Sequence, residues 1–388
     1  MLDAKIPQPS LEHLKRLTDD TGVVQHAKFT IPDREPGYCT DDNARAVIVT
    51  AKYYAKYREP QALELLNTYL AFVLYAQNED GSIKNFMSFD RTWLKDEPAS
   101  DALGRVLWAF GTLIANPPSA SYLSLARDRF DFCVGQVASQ SPRGLAYSIL
   151  GMADYLKQFP QADDIKQQLA MASDRLADQY EQIAQPDWRW FENRLTYDNA
   201  VLPHALFAAG LTLQDGKYLE VAERTCEFLL QNTFSGEHFS FVGNNGWYER
   251  GGTRAAFDQQ PIEAASTVLI LRAAYDATGD SQFLALQRKA FDWFLGQNDL
   301  HLPLYDFATK GCCDALMADG VNMNQGAEST LSFLLALLAM VEPYSVSDKL
   351  ERAKIILLPQ VKIVEKQTTP SITARDSAVR RPVESDEI

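Results

Sequence analysis

The chain is predicted to be all-α: an (α/α)6 toroid of six helical hairpins, with a minor β-hairpin in a loop at the barrel mouth. Three observations predict it. Apolar residues recur at i, i+3, i+4 and i+7 along most of the 388 residues, which is the period of a helix. The helical segments are of two kinds, one apolar nearly all round and one with a charged face, as expected of buried and surface helices respectively. The two kinds alternate strictly, six of each. A repeat of helix pairs at roughly 43 to 64 residues marks a solenoid or a closed ring.

In chain order, a short outer helix is read over 9–19 and an inner helix over 42–57. The turn Tyr57-Arg58-Glu59-Pro60 leads into an outer helix over 60–77. Segment 78–99, rich in Gly, Asn, Asp and aromatics, is a loop before inner helix 100–114 and outer helix 119–138. The pattern continues as inner 143–157, outer 161–184, inner 198–212 and outer 216–232. Loop 233–260 carries Asn245-Gly246 between alternating residues, a hairpin signal. Inner helix 261–277 turns at Thr278-Gly279-Asp280 into outer helix 281–297, and inner helix 325–341 is the last. Helix 9–19 is then the outer partner that closes the ring. Residues 1–360 are read as one barrel domain, and 361–388, poor in apolar residues, as a disordered tail.

Composition limits the chemistry. A net charge of −14 argues against nucleic-acid and anionic-membrane partners, which require clustered Lys and Arg. No run approaches the roughly 18 apolar residues of a membrane span, the most apolar stretch being Leu331 to Val341. The N-terminal stretch has no leader-like apolar run, so a cytoplasmic protein with free thiols is expected. Five cysteines form no Cys-x-x-Cys, and no other Cys or His stands at zinc-ligand spacing from Cys312-Cys313. No metal and no cofactor are expected.

In such a barrel the inner helices run parallel, so their N-termini and the long preceding loops meet at one end. Five of the six entrances carry a carboxylate: Asp41-Asp42-Asn43-Ala44-Arg45, Asp101 with Arg105, Asp198-Asn199, Asp258-Gln259-Gln260 with Glu263, and Gln325 with Glu328. Helix capping accounts for part of this. It does not account for the neighbouring amides and arginines. Nor does it account for Glu263 and Glu328 inside apolar helices, where an unpaired carboxylate costs several kcal/mol. Asp42, Asp101, Asp258, Glu263 and Glu328 are therefore the candidate pool for a catalytic acid and base. Asp41, Arg45, Arg105, Asp198, Asn199, Gln260 and Gln325 are candidate hydroxyl binders. Aromatic residues in the mouth loops, Trp93, Trp190, Trp247 and Tyr248 among them, suit the C–H faces of a sugar, and Asn193 lies beside them. His26 precedes the first inner helix and is a further candidate. There is no Gly-x-Ser-x-Gly elbow and no Walker-type loop.

The stretches Asp19-Asp20-Thr21-Gly22-Val23-Val24-Gln25-His26 and Gly37-Tyr38-Cys39-Thr40-Asp41-Asp42-Asn43-Ala44-Arg45 resemble those of a bacterial family of six-hairpin, glycosidase-like proteins. Trp190-Phe191-Glu192-Asn193, Tyr197-Asp198-Asn199 and Asn324-Gln325-Gly326-Ala327-Glu328-Ser329 are similar to further motifs of that group. The resemblance covers roughly 10 to 342. It implies a toroid and a carbohydrate ligand, and its members are often described as glycosyltransferase-associated; it assigns no catalytic pair. Together with the residues, it leads to the expectation of an enzyme that cleaves a glycosidic bond in an oligosaccharide or glycoside by carboxylate acid–base chemistry. The alternatives are a sugar phosphorylase or epimerase on the same barrel, or a non-catalytic sugar-binding partner of a glycosyltransferase.

Overall fold

The computed structural model describes residues 5–95 and 101–342. The expected tail, 361–388, lies outside the described residues, as does the end of the expected 1–360 domain. A compact unit runs through Glu342. Its helices are α1 (Glu12–Arg16), α2 (Thr40–Tyr57), α3 (Pro60–Ala76), α4 (Ala102–Ala115), α5 (Ala120–Cys133), α6 (Pro142–Gln158), α7 (Asp163–Ile183), α8 (Val201–Leu213), α9 (Gly216–Thr233), α10 (Pro261–Thr278), α11 (Gln282–Asp292) and α12 (Ala327–Val341). The even-numbered helices form the inner ring. Each packs on the next, and α12 packs on α2 to close the circle. The odd-numbered helices lie outside, α3 against α2, α5 against α4 and so on, with α1 against α12. The ring is the one predicted.

Most helix starts follow from local chemistry. Pro60, Pro142 and Pro261 stand at first-turn positions, where the missing N–H costs nothing. Ser141 Oγ caps α6 through the Gly144 N–H at 3.1 Å. Where bounds differ from expectation, the backbone explains it. α8 begins at Val201 rather than 198 because Asp198 is left-handed, with φ 45°. The expected helix 9–19 shrinks to five residues because Thr18 already pairs with Val23 on the way to β1 (Val24–Lys28). The ends of the helices expected over 119–138 and 281–297 are 3-10 turns, Val134–Ser139 and Trp293–Leu295.

The strands lie in the loops. β1 pairs with β2 (Ile31–Cys39), which also pairs with β3 (Phe86–Met87). β4 (Arg194–Leu195) pairs with β5 (Tyr248–Glu249), and β6 (Ala315–Met317) forms a hairpin with β7 (Gly320–Asn322). The hairpin expected at Asn245-Gly246 does not form there. Gly246 and Trp247 are both left-handed, and the chain turns so that Tyr248 leaves towards Leu195. Gly243 instead meets the returning chain, its N–H bonding to Ala255 O at 3.0 Å.

The inner ring is tightest between α4 and α6. A Cβ on Gly104 would lie 2.1 Å from Gly144 O, and one on Gly111 would lie 2.2 Å from Gly151 O. Only glycine lets these backbones approach so closely. Their contact brings Tyr147 of α6 under Arg105 of α4, with the guanidinium carbon 4.1 Å from the ring centroid. No helix among the described residues is long and apolar enough to cross a membrane.

Gly111→Ala should therefore destabilise the barrel by about 2 kcal/mol or more, since it forces a methyl group into backbone. Gly216→Ala, where an added Cβ meets nothing within 4 Å, should be neutral or slightly stabilising. Urea denaturation of the two variants separates the packing effect from a general glycine effect.

Candidate functional site

Six parallel inner helices bring their N-termini to one rim. At α2 the Cys39 thiol caps the helix and donates to Asp42 Oδ2 at 3.1 Å. One turn further in, buried Arg45 binds two carboxylates. Its Nη1 donates to Asp42 Oδ1 at 2.9 Å and its Nη2 to Glu328 Oε2, on α12, at 3.3 Å. At α4, buried Arg105 lies with Nε 3.2 Å from Asp41 Oδ1 and Nη2 3.8 Å from Asp198 Oδ2. The Tyr147 hydroxyl donates to the same Asp198 oxygen. At α6, Arg143 donates to Tyr197 O at 2.5 Å, Glu192 Oε2 at 2.9 Å and Thr196 Oγ1 at 2.8 Å.

These cations sit at the wrong end of a helix. The N-terminal field is positive, so each arginine needs local anions, and burial raises that requirement. Burial opposes the charge on Arg105, but Tyr147, Asp41, Asp198 and Glu328 outweigh it and hold the guanidinium firmly protonated. The carboxylates are shifted differently from one another. Burial pushes Asp42 up to about 6 against the pull of Arg45. Burial also raises Asp41, opposed by Arg105 and Arg45 and reinforced by Asp101 and Glu328. Among the described residues, Asp41 Oδ1, Arg105 Nε and Asp198 Oδ1 are buried without a hydrogen bond, and all three belong to this one cluster. Arg105 Nε and Asp41 Oδ1 nevertheless face each other at 3.2 Å as an ion pair.

Glu263, near the start of α10, anchors the left-handed corner before α8. Its Oε1 accepts the Asp198 N–H, and its Oε2 accepts the Asn199 N–H at 3.3 Å and Asn199 Nδ2 at 3.1 Å. Asn199 in turn bonds Thr196 through both backbone groups. Burial, reinforced by Asp198, pushes Glu263 up to about 8 despite these three donors.

The expected residues thus divide. Asp42, Arg45 and Glu328 form one cluster and Asp41, Arg105, Asp198, Asn199 and Glu263 a second, adjoining through the neighbouring Asp41 and Asp42 of α2 into one network. Asp101 accepts from Ser141 Oγ and is near enough to raise Asp41. Of these carboxylates, Asp41 and Glu328 reach solvent, with side chains 28% and 44% exposed. His26 is exposed on β1 and contributes charge near Asp314. Asp258 is left-handed, and its carbonyl takes the Asn244 N–H; its carboxylate bonds to none of the network. Gln260 is the N-cap residue of α10, without a side-chain cap bond. Gln325 is buried and holds loop 306–309, donating to Asp306 Oδ2 at 3.2 Å and accepting from Thr309 Oγ1 at 2.8 Å.

The expected aromatic platform is largely packing. Trp190 is fully buried between Phe191 and Phe228, so no face remains for a ligand. Trp93 packs on Phe72 and Tyr75, and Tyr248 packs on Trp188. Trp247 is half-buried against the core, and Asn193 is exposed, its carbonyl taking the Arg250 N–H. Three network residues were not singled out from the sequence: Cys39, Tyr147 and Asp314. Tyr147 lies one turn after Arg143 on the same helix, a spacing that could have marked it. Among the described residues, no three His, Cys, Asp or Glu side chains are placed to hold a metal ion.

The carboxyl of Glu263 binds its proton more tightly folded, at about 8, than its ordinary 4.5. Its stabilising contribution is complete below about pH 4.5 and is lost as pH rises through 8, with a slope up to about 1.4 kcal/mol per pH unit. Unfolding free energies measured from pH 4.5 to 9 should fall by this route in the wild type. Glu263→Gln should flatten that dependence.

No family model matches the chain, and no curated protein matches it by sequence. Solved structures do match in fold. Cellobiose 2-epimerase from Bacillus thermoamylovorans superposes with a TM-score of 0.66 at 11% identity, over 85% of this chain and 96% of that one. A D-mannose isomerase matches with 0.63 at 9% identity, over 85% and 95%. A GH76 α-mannanase of Bacteroides thetaiotaomicron matches with 0.61 at 12% identity, over 84% and 91%. All three are (α/α)6 six-hairpin enzymes, and this chain has the same six-hairpin toroid.

Proposed function

We propose that the chain is a carbohydrate-active enzyme that cleaves a glycosidic bond with carboxylates at the barrel mouth. The observation that carries this reading is the pairing through Arg45 of Asp42 and solvent-facing Glu328, carboxylates from the first and last inner helices. The Arg45 guanidinium fixes one oxygen of Glu328 and leaves much of its carboxyl facing solvent, placed for work as a base or nucleophile. Around it, Asp41 and Asp42 are raised by burial, the condition a general acid requires. The partly exposed side chain of Asp41, beside Arg105, adds an acceptor suited to sugar hydroxyls. Carboxylates outnumber free cations here, which favours a neutral substrate. The named neighbours, which act on cellobiose, mannose or mannan by their titles, support carbohydrate as the substrate class.

Phosphorolysis is disfavoured, because the arginines available for phosphate are occupied. Arg143 holds loop 192–199, Arg250 pairs with Asp187, and Arg254 donates to Ser240. Epimerisation is the second reading, favoured by the name of one of these neighbours, the cellobiose 2-epimerase. Among the described residues, however, no histidine is hydrogen-bonded to the network: His13 bonds Gln325 O and His238 bonds Asp299.

Purified protein incubated with a panel of neutral oligosaccharides should release reducing ends. Glu328→Gln should lower kcat/KM by roughly 100-fold or more while the fold is kept. A changed sugar at constant chain length would favour epimerisation. Binding without any turnover would favour the sugar-binding partner of a glycosyltransferase.

A further inference from the structure

Asp314 was invisible in the sequence, yet it stands beside Glu328. It precedes β6, and the β6–β7 hairpin is tied to the start of α10 by the Gln259 and Leu316 backbones, at 3.0 and 2.9 Å. Its Oδ1 accepts the Gly326 N–H at 2.9 Å and the Ser329 hydroxyl at 2.5 Å, at the start of fifteen-residue α12. A Cβ on Gly326 would lie 3.1 Å from that oxygen, so the carboxyl is pressed against the helix entrance. The side chain remains partly exposed. The charged groups facing it are His26 of β1 and Glu328 of α12, with the buried thiols Cys312 and Cys313 preceding it in the chain. Glu328 in turn is tied to Arg45.

We infer that Asp314 is the proton donor of this site, working opposite Glu328; the inference rests on the glycosidase reading. Glu328 is ion-paired with the Arg45 guanidinium, whereas among the described residues no lysine or arginine forms an ion pair with Asp314. Two neighbouring carboxyls in unlike environments are what acid–base division of labour needs. Burial raises Asp314 against the hydrogen bonds from Ser329 and Gly326 and the nearby His26, and Glu328 adds a smaller push upward. In the step, the Asp314 carboxylic acid gives its proton to the glycosidic oxygen. The C1–O bond breaks with its electron pair going to that oxygen, and the alcohol departs. Water adds to C1 and passes a proton to Glu328. One water is consumed, and both carboxyls exchange protons with solvent to reset.

The test compares leaving groups. 4-Nitrophenyl and 2,4-dinitrophenyl glycosides of glucose, mannose and galactose, in both anomers, are assayed with wild type, Asp314→Asn, Glu328→Gln and Ser329→Ala. An acid is needed for poor leaving groups and nearly dispensable for good ones. Asp314→Asn should therefore lose roughly 100-fold or more on 4-nitrophenyl glycosides and under 10-fold on dinitrophenyl ones, while Glu328→Gln loses heavily on both. Ser329→Ala removes a hydrogen bond that favours the ionised form, so the alkaline limb of the pH profile should move to higher pH. This variant keeps the test alive if Asp314→Asn does not fold. Equal losses on both leaving groups, no loss, or an unmoved limb would overturn the role of Asp314 while leaving glycoside cleavage intact. A wild type that cleaves none of the glycosides would overturn both.

Discussion

Buried positive charge at the N-terminal end of the inner helices is the constraint on which the mouth depends. Arg45, Arg105 and Arg143 each stand within the first turn or two of an inner helix, where the helix field repels them and water is excluded. None could be tolerated alone. Each is matched by anions from elsewhere: Arg45 by Glu328 of α12, Arg105 by Asp41 of α2 and Asp198 before α8, Arg143 by Glu192. The ring of helices is therefore stitched at its mouth by charge as well as by packing. The Arg45–Glu328 link joins the first inner helix to the last, the junction of the ring whose inner helices do not follow one another along the chain.

The same stitching creates the chemistry. Carboxylates recruited to neutralise arginines become unequal to one another. Asp42 is buried and raised, Glu328 is exposed and paired, Glu263 is locked beneath a left-handed corner, and Asp314 is held by a helix start. Structural and chemical roles are thus distributed along one network rather than assigned to separate regions. Glu263 illustrates the structural extreme, with both oxygens occupied by backbone and amide donors. Glu328 illustrates the other, with one oxygen on Arg45 and much of its carboxyl facing solvent.

The ring was legible in the sequence because helix burial is periodic and local. Apolar all-round segments became inner helices within a few residues of their expected bounds. The failures are equally physical. The start of α8 depends on Asp198 being left-handed, which one residue's identity does not announce. The Asn245-Gly246 turn was seen, but its strand partner, Leu195, lies in another loop. Carboxylates at helix entrances were found because they break an apolar pattern. Asp314 was not, because it reaches α12 from a loop and breaks no pattern of its own. Trp190 looked like a ligand platform for the opposite reason: a motif of aromatics reads the same whether it faces a sugar or, as here, Phe228.

The most direct test of the mouth as the site of glycoside cleavage is a crystal structure of the protein with an uncleaved neutral glycoside bound, using Glu328→Gln to halt turnover. The glycosidic oxygen should lie between the carboxyl of Asp314 and the side chain at position 328, above Arg45, with ring hydroxyls reaching towards Asp41. A sugar bound elsewhere on the barrel, with the mouth network unaltered and untouched, would contradict it.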